Sequence, residues 1–532
     1  MQKREFDVTI IGAGPNGLIC AAYLSRAGLS VCLLEARHET GGGLDTLEFA
    51  GFKYNPHAIY HMMAEIMPVV DDFKLKTRGL RFIYPEVQTA VITKDKKPLL
   101  FYKDTDRTVA HLTERVGKQQ AEKFRKMYAD FKEFSDKILI PYTFVPALPP
   151  LEMVQLLNRA KDDVGRRFND IAEMPPIEML EYYGIEDPLK AAVLNLYSMW
   201  GLSPFQALGY IFPLYVYRMT NAALVCGGSH RLSSAMHKAV TAEGCVIMDS
   251  APVARVLMQG GKASGVILED GTEIKSRVVA STVDPKQNFI NFFGEKEVPP
   301  DLSESAKRWE WEKISLFGAH LALAEPPRYL GSEDCPDANQ AMVTFLGADS
   351  TQEIGDHIDA LEDNKFDMDH LMGHTTTVSN HDPIMAPEGN ASGRFECLAP
   401  YSQDWDKIKW DCAKKAISQW KEYAPNLDVL NTLVYPPTYI EKKIKNMVKG
   451  SIKQGAYSPL QMGYSRPNPS CSQCWTPIEN FYVCGASVYP GGMIIGGPGY
   501  IGANVILSEL GMERKWEAPE VVKYARSIGV ME

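Results

Sequence analysis

Residues 6–46, FDVTIIGAGPNGLICAAYLSRAGLSVCLLEARHETGGGLDT, constrain what this chain can fold into more than any other stretch. Residues 8–11 form a short apolar run suited to a strand buried on both faces, and Gly12, Gly14 and Gly17 follow at G-x-G-x-x-G spacing. Gly12 permits a tight turn, Gly14 lets a pyrophosphate approach the backbone, and Gly17 lets the next helix lie close on the strand. Pro15 and Asn16 complete the turn. Residues 18–26 continue as an Ala-rich helix whose N-terminal amides, with roughly half a unit of positive dipole charge, face the phosphates. A second buried strand, 31–34, ends at Glu35, whose carboxylate is placed to accept from both hydroxyls of an adenosine ribose. That geometry disfavours a 2′-phosphate.

Ala36 and Arg37 then lead into a second glycine turn, Gly41-Gly42-Gly43, followed by Leu44. An NAD site needs no such turn, whereas the longer FAD molecule uses the amides of Gly42, Gly43 and Leu44, with Arg37, for its diphosphate and ribityl chain. FAD is therefore the expected cofactor.

At 532 residues the chain suits two intimately connected domains. A net charge of -10 argues against a nucleic-acid partner, because no broad cationic surface is available to release counterions. The opening MQKREFD has no signal-peptide pattern, so a cytoplasmic or organelle-matrix location is expected. Cys20, Cys32, Cys226, Cys245 and Cys484 lie in apolar runs, as reduced core thiols do. Cys471 and Cys474 lack a second pair or a spaced histidine, so no metal site is expected.

Further along, residues 51–67 begin as a strand and turn at Asn55-Pro56 into a segment carrying His57, Tyr60 and His61. Residues 80–102 read as two or three strands and 108–137 as an amphipathic helix. Proline and aromatic residues become dense from 141 to 218. Within 199–225, Trp200, Phe205, Tyr210, Phe212, Tyr215 and Tyr217 suit a substrate pocket, a membrane surface, or plain core with an oligomer contact. A glycine turn, helix and strand over 227–248, then a meander with turns at Gly260-Gly261 and Asp270-Gly271, read as the second half of a nucleotide-binding domain. His381-Asp382-Pro383 reads as a connection, and Lys442, Lys443, Lys445 and Lys449 as a solvated basic face or a modest anionic-surface contact. Gly497, Gly499 and Gly502 repeat the G-x-G-x-x-G spacing without a strand directly before them. They read as a glycine-lined approach of backbone to a flat ring, ahead of an apolar helix over 503–510.

With the fingerprint, the Gly41-Gly42-Gly43 turn, the GGSHRL segment and Tyr489-Pro490-Gly491-Gly492, the chain resembles the phytoene desaturase-like flavoproteins, which share their FAD domain with amine oxidases. The resemblance implies noncovalent FAD, with Val253 near the adenine and Gly485, Ala486, Gly492 and Met493 near the flavin. Many such proteins carry Gly-Asp where this chain has Gly485-Ala486-Ser487, which implies that Ser487 or backbone amides substitute and that FAD is loosely held.

The expected fold is α/β, a Rossmann-like, glutathione-reductase-type FAD domain assembled from 1–80, 226–286 and 476–532, with an α+β substrate domain from 81–225 and 287–475. The expected function is an FAD-dependent dehydrogenase or desaturase acting on an apolar, isoprenoid-like or cyclic small molecule, with hydride passing to flavin N5. His57, Tyr60 and Tyr489 are the candidate acid/base residues, on the ground that Tyr and His exchange protons near neutral or mildly basic pH. Lys53 or Arg218 paired with a carboxylate would instead suit a small acid. Without an NAD domain, electrons are expected to leave to oxygen or a quinone, with peripheral membrane contact and a homo-oligomer both open. The alternatives are a redox-neutral isomerase or hydratase that keeps reduced flavin, and a flavin-bearing scaffold.

Overall fold

The computed structural model describes residues 5–294, 297–493 and 495–532, so the first four residues of MQKREFD and Ile494 of the glycine-rich stretch lie outside it. Strand Glu5–Ile11 pairs in parallel with Val31–Leu34 on one side and Glu273–Ser281 on the other. Val246–Met248 extends the first side in parallel. Beyond Glu273–Ser281 the strands Lys262–Leu268 and Val253–Gln259 run antiparallel, and Phe481–Val483 pairs in parallel with its last residues. One seven-stranded sheet is thus built from the beginning, middle and end of the chain. Its hairpin turns fall where Gly260, Gly261 and Gly271 take positive φ.

The first connection shows why glycine is needed. Gly12 has φ +94°, and a Cβ on Gly17 would strike the carbonyl oxygen of Gly12 as helix Pro15–Arg26 leaves the strand. Pro15 opens that helix, where a missing N–H costs nothing. The helix packs against Gly497–Glu509, which corrects the expectation for the C-terminal glycines. The late helix starts at Gly497, not near 503, and its glycines are contact points within its own first turns. A Cβ on Gly499 would strike the carbonyl oxygen of Asn16, and one on Gly502 would meet Cys484. The repeated spacing therefore serves helix packing.

A second seven-stranded sheet runs in the order Val429–Tyr435, Ile314–Leu323, Ala391–Pro400, Gly373–Thr377, Val343–Leu346, Val87–Ile92, Pro98–Tyr102. Helix Trp405–Tyr423 covers one face, where Trp405 and Trp420 pack with Phe317 and Phe395. Among helices, the stretch expected as one over 108–137 is two, Thr105–Val116 and Lys118–Phe134, split at Gly117 with φ +85°. Residues 141–225 supply helices Pro150–Asn158, Leu189–Ser198 and Phe212–Met219. All ten cysteines are free, and Cys471 and Cys474 are buried. Among the described residues no helix is long and apolar enough to cross a membrane, and no cluster of His, Cys, Asp and Glu is suited to a metal.

Candidate active site

The strand ends of the first sheet form a cradle. Glu35 Oε2 accepts from the Ala13 amide at 2.9 Å and Oε1 from the Arg37 amide at 3.0 Å, which fixes the carboxylate above the first glycine turn. The Ala251 amide bonds the Glu35 carbonyl at 2.8 Å, which sets Val253, two residues on, beside the same strand end. Gly41 N–H to Ala13 O at 2.8 Å ties the second glycine turn to the first, and Arg37 Nη1 reaches the Gly42 carbonyl at 3.3 Å. A Cβ on Gly42 would lie 3.2 Å from the Gly14 Cα, so the two turns touch there.

Gly14 itself has ordinary extended backbone, with φ -69° and ψ -179°, and a Cβ added to it would meet only the Gly42 Cα, at 4.0 Å. Neither its φ nor packing within the protein requires glycine there. The open space beside it, under the N-terminus of helix Pro15–Arg26, fits a diphosphate drawn close to the backbone. The residues present therefore fit a dinucleotide. At the other end of the chain a Cβ on Gly485 would strike the Thr282 carbonyl, and Gly492 N–H donates to the Tyr457 hydroxyl at 2.8 Å. Ser487 Oγ donates to the Val283 carbonyl at 3.3 Å, so this hydroxyl is bonded to the protein's own backbone.

Two cavities meet beside this cradle. The inner one, about 90 Å³, is bounded by Gly43, His57, Tyr60 and Trp200 and by Arg394 and Glu396 of the second sheet. The outer one, about 530 Å³, is walled mainly by Leu, Met, Ile and Tyr side chains, including Tyr210, Tyr215 and Tyr489. Met62 and Met493 border both. The aromatic run at 199–225 thus contributes pocket wall, with Phe212 in the core and only Phe205 of the six largely exposed, at 45%.

The inner cavity has a charged wall that the sequence reading missed. On strand Ala391–Pro400 Arg394 sits opposite His320, and Glu396 sits opposite His374 and Gly318. A Cβ on Gly318 would approach the Arg394 Nε at 3.4 Å, so glycine makes room for the guanidinium. Arg394 pairs with Glu396 and also donates to the His57 carbonyl at 3.2 Å. His374 Nε2 lies 3.2 Å from Glu396 Oε1 and 3.1 Å from the Tyr60 hydroxyl. The signal was present: in ASGRFECLAP the only charges stand two apart, on one face of a strand buried throughout.

These surroundings correct the acid/base rationale. Burial pushes the His57 imidazole down to about 3 despite the nearby Asp45 carboxylate, and both ring nitrogens lack a hydrogen-bond partner. Burial, then Arg394, lowers His374 to about 3, and burial alone lowers His61 to about 4. The Tyr60 and Tyr489 phenols are raised by burial, and Tyr489 donates to the Tyr142 carbonyl at 2.9 Å. None of the three candidates titrates near neutral pH. The two cations offered for a small acid are also committed: Arg218 pairs with Glu65, and Lys53 lies 3.9 Å from Glu48. Lys443 is likewise no part of a free basic face, being 3.0 Å from buried Asp45.

The depressed histidines have a measurable consequence. The unfolded chain takes up protons near 6.5, whereas the folded protein keeps His57 and His374 neutral to about 3 and His61 and His357 to about 4. Their contribution to stability is complete above about pH 6.5 and is lost as pH falls toward 4, at up to about 1.4 kcal/mol per histidine per pH unit. Melting scans at about pH 7.5, 6 and 5 should therefore show a larger fall over the second step than the first.

Comparison with known proteins converges on the same architecture. The family model described as flavin containing amine oxidoreductase matches residues 16–322. A limonene dehydrogenase chain from Castellaniella defragrans is 36% identical over 552 aligned positions, covering 100% of each chain. Phytoene desaturase (lycopene-forming) from Paracoccus sp. is 24% identical, covering 94% of this chain and 97% of its own. Among solved structures, cyclohexylamine oxidase from Brevibacterium oxydans superposes with a TM-score of 0.57 over 95% of this chain and 99% of its own, at 14% identity. That last likeness is one of fold.

Proposed function

The chain belongs to the flavin-containing amine oxidoreductases, and from that premise we propose that this FAD-dependent dehydrogenase introduces a double bond into an apolar isoprenoid, with a cyclic monoterpene such as limonene as the first substrate to try. The observation that carries the reading is the outer cavity, about 530 Å³ of mostly apolar wall, which shares Met62 and Met493 with the wall of the inner cavity. An uncharged substrate suits it, because Arg218 in its wall and Arg394 in the wall of the inner cavity are both paired.

We assign the cofactor to Gly12, Gly14, Pro15, Asn16 and Gly17 at the diphosphate, Glu35, Ala36 and Val253 at the adenosine, and Arg37, Gly42, Gly43 and Leu44 along the ribityl chain. Gly485, Ala486, Gly492 and Met493 attend the ring. When bound, FAD supplies a two-electron acceptor for the hydride of a substrate C–H bond. The outer cavity binds the hydrocarbon and excludes water, and Tyr60, His57 and Trp200 shape the inner end. We keep the segment boundaries 1–80, 81–225, 226–286, 287–475 and 476–532 as the proposed division.

Electrons leave to oxygen or a quinone. Val154, exposed in the outer-cavity wall itself, and Leu151, 68% exposed, and Leu460, 89% exposed, next to the wall residues Pro150 and Pro459, form an apolar rim. That continuity favours peripheral contact with a lipid surface over a second copy of the chain at this rim.

Anaerobic mixing tests the reaction. Limonene should bleach the oxidised flavin of the holoenzyme stoichiometrically, with a dehydrogenated product. A reaction that requires prereduced flavin and gives no net bleaching would replace this reading with the redox-neutral one.

A further inference from the structure

Removing a hydride leaves a carbon skeleton that must also lose a proton, and the inner cavity presents few groups to take it. Tyr60 is neutral and already bonded to His374, and His57 is buried without a partner. Glu396 differs in charge and in mounting. It lies on a rigid central strand, is 4% exposed, and borders the cavity next to Tyr60 and Trp200. Arg394 holds it in place from the side, anchored in turn on the backbone carbonyls of Asn55 and His57 at 3.4 and 3.2 Å.

On the reading proposed above, we infer that the Glu396 carboxylate accepts the proton in double-bond formation, with Arg394 as the positioning residue. One C–H bond gives hydrogen and both bonding electrons to FAD. The neighbouring C–H bond gives its proton to a Glu396 oxygen, its electrons become the new C=C, and the substrate leaves with two hydrogens fewer. His374, with Nε2 3.2 Å from Oε1 and 3.1 Å from the Tyr60 hydroxyl, braces the carboxylate at the oxygen that Arg394 does not hold. A carboxylate held against a guanidinium is a weak base, but carbon adjacent to a departing hydride is strongly acidified, so a fixed acceptor at contact distance suffices.

Glu396→Gln tests this in the holoenzyme, with FAD content and melting temperature checked first. Single-turnover bleaching by limonene should slow by about 10²-fold or more, as for loss of a general base, and Glu396→Asp should recover part of the rate. A second readout needs no turnover. Cyclohexyltrimethylammonium and tert-butylcyclohexane share a shape and differ in charge, and their binding to the oxidised enzyme is read from flavin absorbance. Their affinity ratio should move at least about tenfold toward the neutral compound in Glu396→Gln, because Arg394 then faces the ligand unpaired. An unchanged ratio overturns the placement of Glu396 on the ligand, and a Gln variant within about threefold of the wild-type rate overturns its chemistry. A ratio that shifts in a protein whose wild-type flavin limonene never bleaches counts against the substrate reading and leaves Glu396 on the ligand.

Discussion

Gly14→Val should abolish FAD binding while leaving the protein folded. The expected loss is about a thousandfold in affinity, about 4 kcal/mol, with no yellow colour after purification and no rise in melting temperature on adding FAD. The reason is local. Gly14 already has the extended backbone that a β-branched residue prefers, and its Cβ would enter open space, with only the Gly42 Cα at 4.0 Å. What the side chain blocks is the approach of the diphosphate to the backbone. The apoprotein should melt within about 3 °C of wild type, and Gly14→Ala should fall between the two in affinity. The neighbouring glycine makes a useful contrast, because Gly17→Ala would collide with the Gly12 carbonyl and should damage the fold itself.

The second large effect belongs to a residue far from the fingerprint. Arg466 is fully buried, and its guanidinium donates to the carbonyls of Ala486 at 3.0 Å, Lys453 at 2.8 Å and Gln461 at 3.3 Å, among others. It joins the loop that carries Ala486 to the wall that carries Tyr457 and Met462. Burial lowers its pKa from the usual arginine value, and the ring of carbonyls and the faces of Trp309 and Tyr457 compensate for the lost water. Arg466→Met fills the volume but orphans the carbonyls, so a loss of about 3–5 kcal/mol is expected. Thermal unfolding followed by circular dichroism should show an apparent drop of about 5 °C or more, with weaker FAD retention because Ala486 loses its tether.

These two residues also mark how far sequence alone reaches. The cofactor half was legible because its glycines answer to steric demands that repeat at fixed spacing: Gly12 turns, Gly14 opens, Gly17 lets the helix approach. Glu35 was legible for the same reason, since a strand end fixes where its carboxylate points. The repeated spacing at Gly497, Gly499 and Gly502 shows the limit of that logic, for close helix packing asks for the same residue at the same intervals. Arg394, Glu396 and His374 were hidden because register brings them together: the pairing of two separate strands puts Glu396 opposite His374, 22 positions earlier in the chain. His57 and Tyr60 were found at the cavity, but their protonation was misjudged, because burial depth is a property of the packed molecule. Arg466 gave no sign in a Pro/Ser-rich stretch that reads as an ordinary loop.

Where the reactive ring of the cofactor lies determines which wall of the protein the substrate meets. A crystal structure of the wild-type protein with FAD bound decides it, and the density should show adenosine on Glu35, diphosphate beside Gly14, and the ring system where Met62 and Met493 border the two cavities. Density that leads the ring away from that junction, leaving the outer cavity without access to it, would contradict the account.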